Sequence, residues 1–131
     1  MGKTNIRIKR VYADAVPEDG ARILVDRLWP RGLSKDDADL ALWLKDIAPT
    51  TSLRTWFHRD PTQWDEFRRR YRAELDDNPG PVEQLIALAN KGPLTLLYAA
   101  RDEAHNHAVV LADYLTSVFS SGARRTSPDG W

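Results

Sequence analysis

The chain has 131 residues, of which 42% are hydrophobic, so it can build one domain with a sizeable core and is too apolar for a disordered polyelectrolyte. Nineteen Lys and Arg residues balance nineteen Asp and Glu residues, which excludes a global basic field for nucleic acid or acidic membranes. There is no cysteine to form a disulfide. No apolar run approaches the roughly 20 residues that span a bilayer, and the N-terminus has no apolar signal core, so we expect a cytoplasmic protein.

Two apolar segments near the N-terminus predict the first two strands. Residues 6–12 alternate apolar and cationic side chains, which is the period of a half-buried strand. Residues 22–28 form a β-branched apolar run that suits a strand covered on both faces. The short connection is near the lower limit for a parallel crossover, so parallel and antiparallel pairing both stay open.

The chain is expected to leave the sheet at residues 29–32, where a proline and a glycine favour a loop. Ser34 and the acidic residue three positions later form a weak capping box, which predicts a short helix over 35–39. Residues 40–47 alternate apolar and other side chains and predict a third strand. A helix is the alternative there, because several of the same apolar residues also fit a 3.6-residue period.

Three apolar stripes at helical spacing predict three helices in the middle of the chain. The first stripe covers 53–57, the second runs from Asp60 to about Leu75, and the third covers 82–89. In the second helix, Asp60 is the expected N-cap and Pro61 the first helical residue.

A buried strand over 94–100 and a last helix over 104–119 complete the predicted domain. The order of elements indicates a single layered α/β domain over 1–119, with a small, about four-stranded, mostly parallel sheet flanked by helices. Residues 120–131 are predicted to be a polar tail, which we expect Trp131 to anchor by packing. The leucines expected to be almost fully buried are Leu24, Leu96, Leu97, Leu111 and Leu115.

Several motifs resemble those of the YeaO-like branch of domain of unknown function 488. They are GARILVDRLWPRG at 20–32, APT at 48–50 with LR at 53–54, and LTLLYAARD at 94–102 with NHA at 106–108. The resemblance covers about residues 6–115 and implies a bacterial, cytosolic α/β protein.

In the broader family, the last strand and the last helix carry cysteines. The two cysteine positions here are Tyr98 and Asn106, and the histidine and arginine that follow the second cysteine in the family correspond to His107 and Ala108, of which only His107 matches. The resemblance therefore implies no thiol chemistry for this chain.

Ligands of parallel sheets bind beyond the carboxyl ends of the strands, which here directs attention to 12–14, 26–31, 49–52 and 101–107. Arginine forks bind phosphate or carboxylate through two hydrogen bonds. The candidate anion-binding residues are Arg27, Arg31 and Arg101. The alternative is a structural network in which Asp26 pairs with Arg101 and Asp102 pairs with Arg27.

His107 is the candidate general acid or base, because a histidine in the first turn of the last helix can exchange a proton near pH 7. Asp26 or Asp102 would orient it or an arginine, and these three residues form the candidate catalytic set. The alternative is a histidine that only caps or packs the helix start. His105 does not share a helical face with His107, and His58 lies in a predicted loop, so no metal site is expected.

The arginines at 68–70 and 72 suggest a nucleic-acid contact, but acidic residues lie four positions before or after several of them, which is the spacing of salt bridges along a helix. The expected pairs are Asp65 with Arg69, Glu66 with Arg70, and Arg70 with Glu74.

The leading functional expectation is a protein that binds a phosphorylated or otherwise anionic small molecule, with hydrolysis or group transfer left open. The alternative is a non-catalytic nucleic-acid-binding or stress-associated interaction module. No cofactor and no membrane partner are expected.

Overall fold

The computed structural model describes residues 5–126, with side chains as far as Phe119. Its strands are β1 (Ile6–Arg10), β2 (Ala21–Leu24), β3 (Leu42–Trp43) and β4 (Leu94–Tyr98). Its helices are α1 (Lys35–Ala38), α2 (Thr51–Arg59), α3 (Trp64–Asp76), α4 (Pro79–Lys91) and α5 (His107–Thr126). Short 3₁₀ turns cover Pro17–Asp19 and Lys45–Ile47. The α/β architecture predicted from the sequence is confirmed.

The four strands form one parallel sheet in the order β1-β4-β2-β3. Strand β4 lies between β1 and β2, with Leu96 opposite Ile8 on one side and Ile23 on the other. The antiparallel pairing left open for the first two strands is therefore wrong. Every residue of β4 is buried, as expected for a mostly apolar strand in the centre of a sheet covered on both faces. Its one threonine, Thr95, donates its hydroxyl to the carbonyl oxygen of Asp19 at 2.7 Å.

The two faces of this sheet carry cores of different size. Helices α2 to α5 cover the larger core, to which Ile23 and Leu96 belong. The smaller core is formed by Val11, Leu24 and Leu97, and residues such as Trp29, Leu33 and Leu40 from the segments around α1 pack against it. The predicted core leucines are all fully buried: Leu24, Leu96, Leu97, Leu111 and Leu115.

Several strands are shorter than the sequence predicts. Strand β2 ends at Leu24 instead of residue 28, and β3 has only two residues. The indole Nε1 of Trp43 donates to the carbonyl oxygen of Asp26 at 2.7 Å. After β2, this side-chain hydrogen bond takes the place of a backbone hydrogen bond between strands. A 3₁₀ turn at Lys45–Ile47 then takes the place of the remaining predicted strand.

Two helices begin later than predicted because an aspartate folds the preceding residues into a turn. The Asp60 carboxylate accepts from the backbone N–H of Thr62, and α3 starts at Trp64. The Asp102 carboxylate accepts from the backbone N–H groups of the second and third residues after it, and α5 starts at His107. Such side-chain to backbone bonds compete with helix formation.

The last helix also ends later than predicted, at Thr126 instead of residue 119. It thus extends into the segment that the sequence predicts as a polar tail. The predicted packing of Trp131 lies outside the described residues. No helix in residues 5–126 is both long enough and apolar enough to cross a membrane.

Gly20 joins the first 3₁₀ turn to β2 in a conformation that requires glycine. Its φ is +63°, and an added Cβ would lie 2.3 Å from the carbonyl oxygen of Pro93. That oxygen accepts the N–H of Ala21, the first residue of β2, so it cannot move freely.

We therefore expect Gly20→Ala to lower the free energy of unfolding by about 1–3 kcal/mol, from backbone strain and this close contact. Urea denaturation measures the change. Gly80→Ala is the matched control, because nothing lies within 4 Å of its added Cβ. Equal stabilities of the two variants would contradict the expected strain at Gly20.

Candidate functional site

A cleft of about 280 Å³ opens at the carboxyl ends of β2 and β4, beside the first turn of α5 and the start of α2. Parallel strands direct their following loops to this edge, which is where the sequence predicts a site. Both polar and apolar residues line the cleft. Its lining consists of Asp26, Arg27, Leu28, Ala48, Pro49, Arg54, Phe57, His58, Phe67, Ala99, Ala100, His105, Asn106 and His107.

Asp26 and His107 face each other at the inner end of the cleft. His107 Nε2 lies 3.0 Å from the carbonyl oxygen of Val25 and 3.0 Å from Asp26 Oδ1. Both neighbours can only accept hydrogen bonds, so Nε2 carries a hydrogen and donates a hydrogen bond to the carbonyl oxygen of Val25. Asp26 Oδ1 then receives no hydrogen bond, while Oδ2 accepts from the backbone N–H of Ala99 at 3.1 Å. This tautomer leaves Nδ1 of His107 without a partner among the described residues.

Asn106 fixes the position of His107 at the start of α5. Its side-chain amide donates to the carbonyl oxygen of Asp102 at 2.9 Å and accepts from the N–H of Val109 at 3.1 Å. The second bond is an N-cap contact, which satisfies one of the free donors at the helix start. His107 therefore occupies the first turn, as predicted.

Arg27 lies across the cleft on the loop after β2. Its Nε donates to the carbonyl oxygen of Pro49 at 3.3 Å, and its Nη2 donates to that of Ala48 at 3.1 Å. These bonds tie the loop after β2 to the residues before α2. They leave Nη1 without a partner in the described chain, and no carboxylate lies within salt-bridge distance of this guanidinium.

Arg54 is a cleft residue that sequence reasoning missed. It lies in α2, whose N-cap hydroxyl, on Thr50, accepts from the N–H of Leu53 and donates to Glu74 at 2.6 Å. The Arg54 side chain is exposed and has no partner among the residues with described side chains. Its position in the sequence could have indicated it, because Arg54 lies shortly after the segment 49–52 that follows the predicted third strand.

A second groove of about 530 Å³ adjoins the cleft. The residues common to both are Phe57, His58, Ala100 and His105. Arg101 and Asp102 line the groove. The Asp102 carboxylate accepts from the N–H groups of Ala104 and His105 and lies 3.1 Å from His105 Nδ1. These hydrogen bonds, first those from the backbone, lower the pKa of Asp102.

The ion pairs considered as the structural alternative do not form among the described residues. Asp26 faces His107 instead of Arg101, and Asp102 contacts His105 instead of Arg27. Asp102 is therefore held by His105 and backbone N–H groups and Asp26 by the backbone N–H of Ala99, while Arg27 and Arg101 have no carboxylate partner among the described residues.

The predicted site residues are only partly brought together. Asp26, Arg27 and His107 line the cleft, whereas Arg101 and Asp102 line the adjoining groove. Arg31 lines neither of them. It is exposed on the loop that covers the smaller core, where its carbonyl oxygen accepts from the Tyr12 hydroxyl at 2.8 Å.

The three histidines all line this region, and His58 lies in α2 instead of the predicted loop. They nevertheless do not form a metal site. Within residues 5–126, no group of three or more His, Asp or Glu side chains is arranged to hold a metal ion.

Three arginines of α3, Arg68, Arg69 and Arg70, contact acidic neighbours on the helix, and of the three predicted pairs that of Glu66 with Arg70 is confirmed. Glu66 accepts from both Arg69 and Arg70, and these contacts, Arg69 first, lower its pKa to about 2. Arg68 lies 3.6 Å from Asp65, so the predicted pair between Asp65 and Arg69 is wrong. The predicted pair between Arg70 and Glu74 is also wrong, because Glu74 binds Thr50.

Comparison with known proteins agrees with the resemblance in the motifs. The family model described as "Inactive DUF488-N3 subclade" matches residues 5–130. The chain is 50% identical over 114 residues to Uncharacterized protein YeaO of Escherichia coli, covering 87% of this chain and 99% of that protein. It is 45% identical over 113 residues to Uncharacterized protein Rv3073c of Mycobacterium tuberculosis, covering 86% and 95% respectively. No solved structure matches significantly. The chain thus belongs to the YeaO-like DUF488 family.

Proposed function

We propose that the protein binds a small molecule with a phosphate or carboxylate group in the cleft at the ends of β2 and β4. One observation carries this proposal: the cleft arginines are not neutralised by any carboxylate of the described chain. Arg27 is held by two backbone carbonyls, and Arg54 has no side-chain partner. Because a guanidinium fork fits an oxyanion with two hydrogen bonds, this charge pattern favours an anionic ligand.

Each polar residue of the cleft has a distinct part in this proposal. Arg27 and Arg54 bind the oxyanion, and His107 lines the cleft beside them. The carbonyl oxygen of Val25 holds the imidazole of His107 in place, and Asp26 lies 3.0 Å from the same ring nitrogen. Asp102 acts at a distance from the anion, by holding the loop before α5 and the side chain of His105.

We favour binding without turnover over hydrolysis or group transfer. The described residues that line the cleft include no hydroxyl or thiol side chain that could act as a nucleophile. The matching family model also describes its subclade as inactive. His107 and Asp26, the candidate catalytic pair, then serve to bind and position the ligand.

Nucleic-acid binding through α3 has less support from the described residues. Arg69 and Arg70 are held by Glu66, and the guanidinium of Arg70 also lies 4.3 Å from the ring centre of Trp56. We therefore base no second proposal on this surface.

Arg54→Ala tests the anion site, because Arg54 lines the cleft and supports no other described residue. Ribose 5-phosphate and succinate are the probes, one for each kind of anion, and calorimetric titration gives their affinities. We expect saturable binding of at least one probe, with a Kd about 10- to 100-fold higher in the variant, which is the effect of losing one charged hydrogen-bond donor.

Arg31→Ala is the matched control, since Arg31 is exposed and lies outside the cleft. We expect it to bind the probe like the unmodified protein. Failure of both probes to bind, or an equal loss of affinity in the two variants, would contradict an anion site in the cleft. Release of inorganic phosphate from ribose 5-phosphate by the unmodified protein would contradict binding without turnover.

A further inference from the structure

The groove beside the cleft gives the proposed site a second compartment. Its volume of about 530 Å³ exceeds the 280 Å³ of the cleft, and four residues line both spaces. Small-molecule sites commonly occupy about 300–1,000 Å³, so the cleft alone is near the lower limit. A ligand that occupied only the cleft would leave the larger of two connected spaces empty.

Aromatic rings form a continuous layer beneath the cleft and the groove. The ring centre of Trp64 lies 5.1 Å from that of His105 on one side and 5.8 Å from that of Phe67 on the other. Phe67 continues to Tyr71 at 5.9 Å, and Tyr71 continues to His107 at 6.4 Å. The layer thus connects a groove histidine to the cleft histidine. Trp64 is the half-buried member that lines the groove itself.

The groove is lined by another guanidinium, that of Arg101. Arg101 is exposed and has no partner among the described side chains. Among the described residues, the only carboxylate that lines the groove is that of Asp102, and it is held by His105 and backbone N–H groups. A flat aromatic ring in the groove would therefore meet an aromatic wall and a free arginine, and arginine stacks on ring faces.

We infer that the ligand is a nucleoside monophosphate, with its phosphate in the cleft and its base in the groove. This inference rests on the proposed function, because the cleft must first bind the phosphate. The groove then accounts for the rest of the molecule, since it adjoins the cleft and is lined by the aromatic ring of Trp64 and the guanidinium of Arg101.

The test compares AMP with ribose 5-phosphate, which lacks only the base. Calorimetric titration of the full chain gives both affinities. Stacking of a base on an aromatic side chain contributes an affinity gain of about 5- to 100-fold, and we expect a gain in this range for AMP. Trp64→Leu should reduce this gain to less than about 3-fold while leaving the affinity for ribose 5-phosphate unchanged.

Arg101→Ala provides a second variant that does not depend on core packing. Arg101 is exposed and unpartnered, so its removal leaves the fold intact, and we expect the gain for AMP to fall by about 2- to 5-fold. Equal affinities of AMP and ribose 5-phosphate would overturn the inference while leaving the anion site in place. An unchanged gain in Arg101→Ala together with an unchanged gain in Trp64→Leu would also overturn it. If no anion binds at all, the proposed function fails as well.

Discussion

Replacing Asp19 by Asn is expected to lower the free energy of unfolding by about 3–5 kcal/mol, the usual cost of breaking a buried ion pair from one side. Asp19 is only 2% exposed and Arg22 only 4%. Asp19 Oδ2 lies 2.6 Å from Arg22 Nη1 and 3.0 Å from Lys9 Nζ, and it also accepts from the N–H of Val16. The substitution would leave the buried Arg22 and the partly exposed Lys9 without their counter-charge.

Urea denaturation at neutral pH measures this loss, and Glu18→Gln is the matched control. Glu18 is the exposed acidic neighbour of Asp19, so its substitution should change stability by less than about 0.5 kcal/mol. A loss below about 1 kcal/mol in Asp19→Asn would contradict the role of Asp19 as the charge that holds this part of the sheet.

The same residue predicts how stability depends on pH. Burial alone would raise the pKa of Asp19, but hydrogen bonds from Val16, Lys9 and Arg22 outweigh it, and the pKa lies below the usual value. A lowered pKa stabilises the fold above the unfolded value of about 3.9, and this contribution is lost as the pH falls through the folded pKa. The difference in stability between the unmodified protein and Asp19→Asn should therefore narrow below about pH 4.

Leu97→Ala is expected to cost about 2–5 kcal/mol, from lost transfer energy and the cavity left behind. Leu97 is fully buried in the central strand and packs with Val11 and Leu24 in the smaller core. Few buried residues form this core, and they lie on or beside strands of the sheet. They therefore cannot shift easily to fill the cavity that the substitution leaves.

Urea denaturation again gives the change, and Leu28→Ala is the control because Leu28 is 63% exposed. We expect the control to stay within about 0.5 kcal/mol of the unmodified protein. A loss below about 1 kcal/mol for Leu97→Ala would contradict its place in the core.

Elements with one dominant signal could be predicted from the sequence. The apolar run from Leu94 to Tyr98 becomes the central strand, and the stripe of α3 faces the larger core. Boundaries could not be predicted where a polar side chain competes with the backbone ladder or helix. Asp60 and Asp102 both form turns at positions where the periodicity alone predicts helix.

The location of the site in the fold could be predicted from the sequence, but the contacts between its side chains could not. Parallel strand ends meet at one edge, so the convergence of Asp26, Arg27 and His107 follows from the fold class. Sequence spacing does not show whether an aspartate will meet an arginine or a histidine, because that depends on the direction of each side chain. The same reason hid Arg54, whose position depends on how α2 packs beside the cleft.

The most direct test of the anion site is a nuclear magnetic resonance titration of the full chain with ribose 5-phosphate. Backbone amide and arginine Nε–H signals report which residues meet the ligand. We expect saturable shifts at Arg27, Arg54 and the amides of Ala99 and His107. Shifts confined to the α3 arginines, or no saturable shift at the cleft, would contradict our assignment of the site.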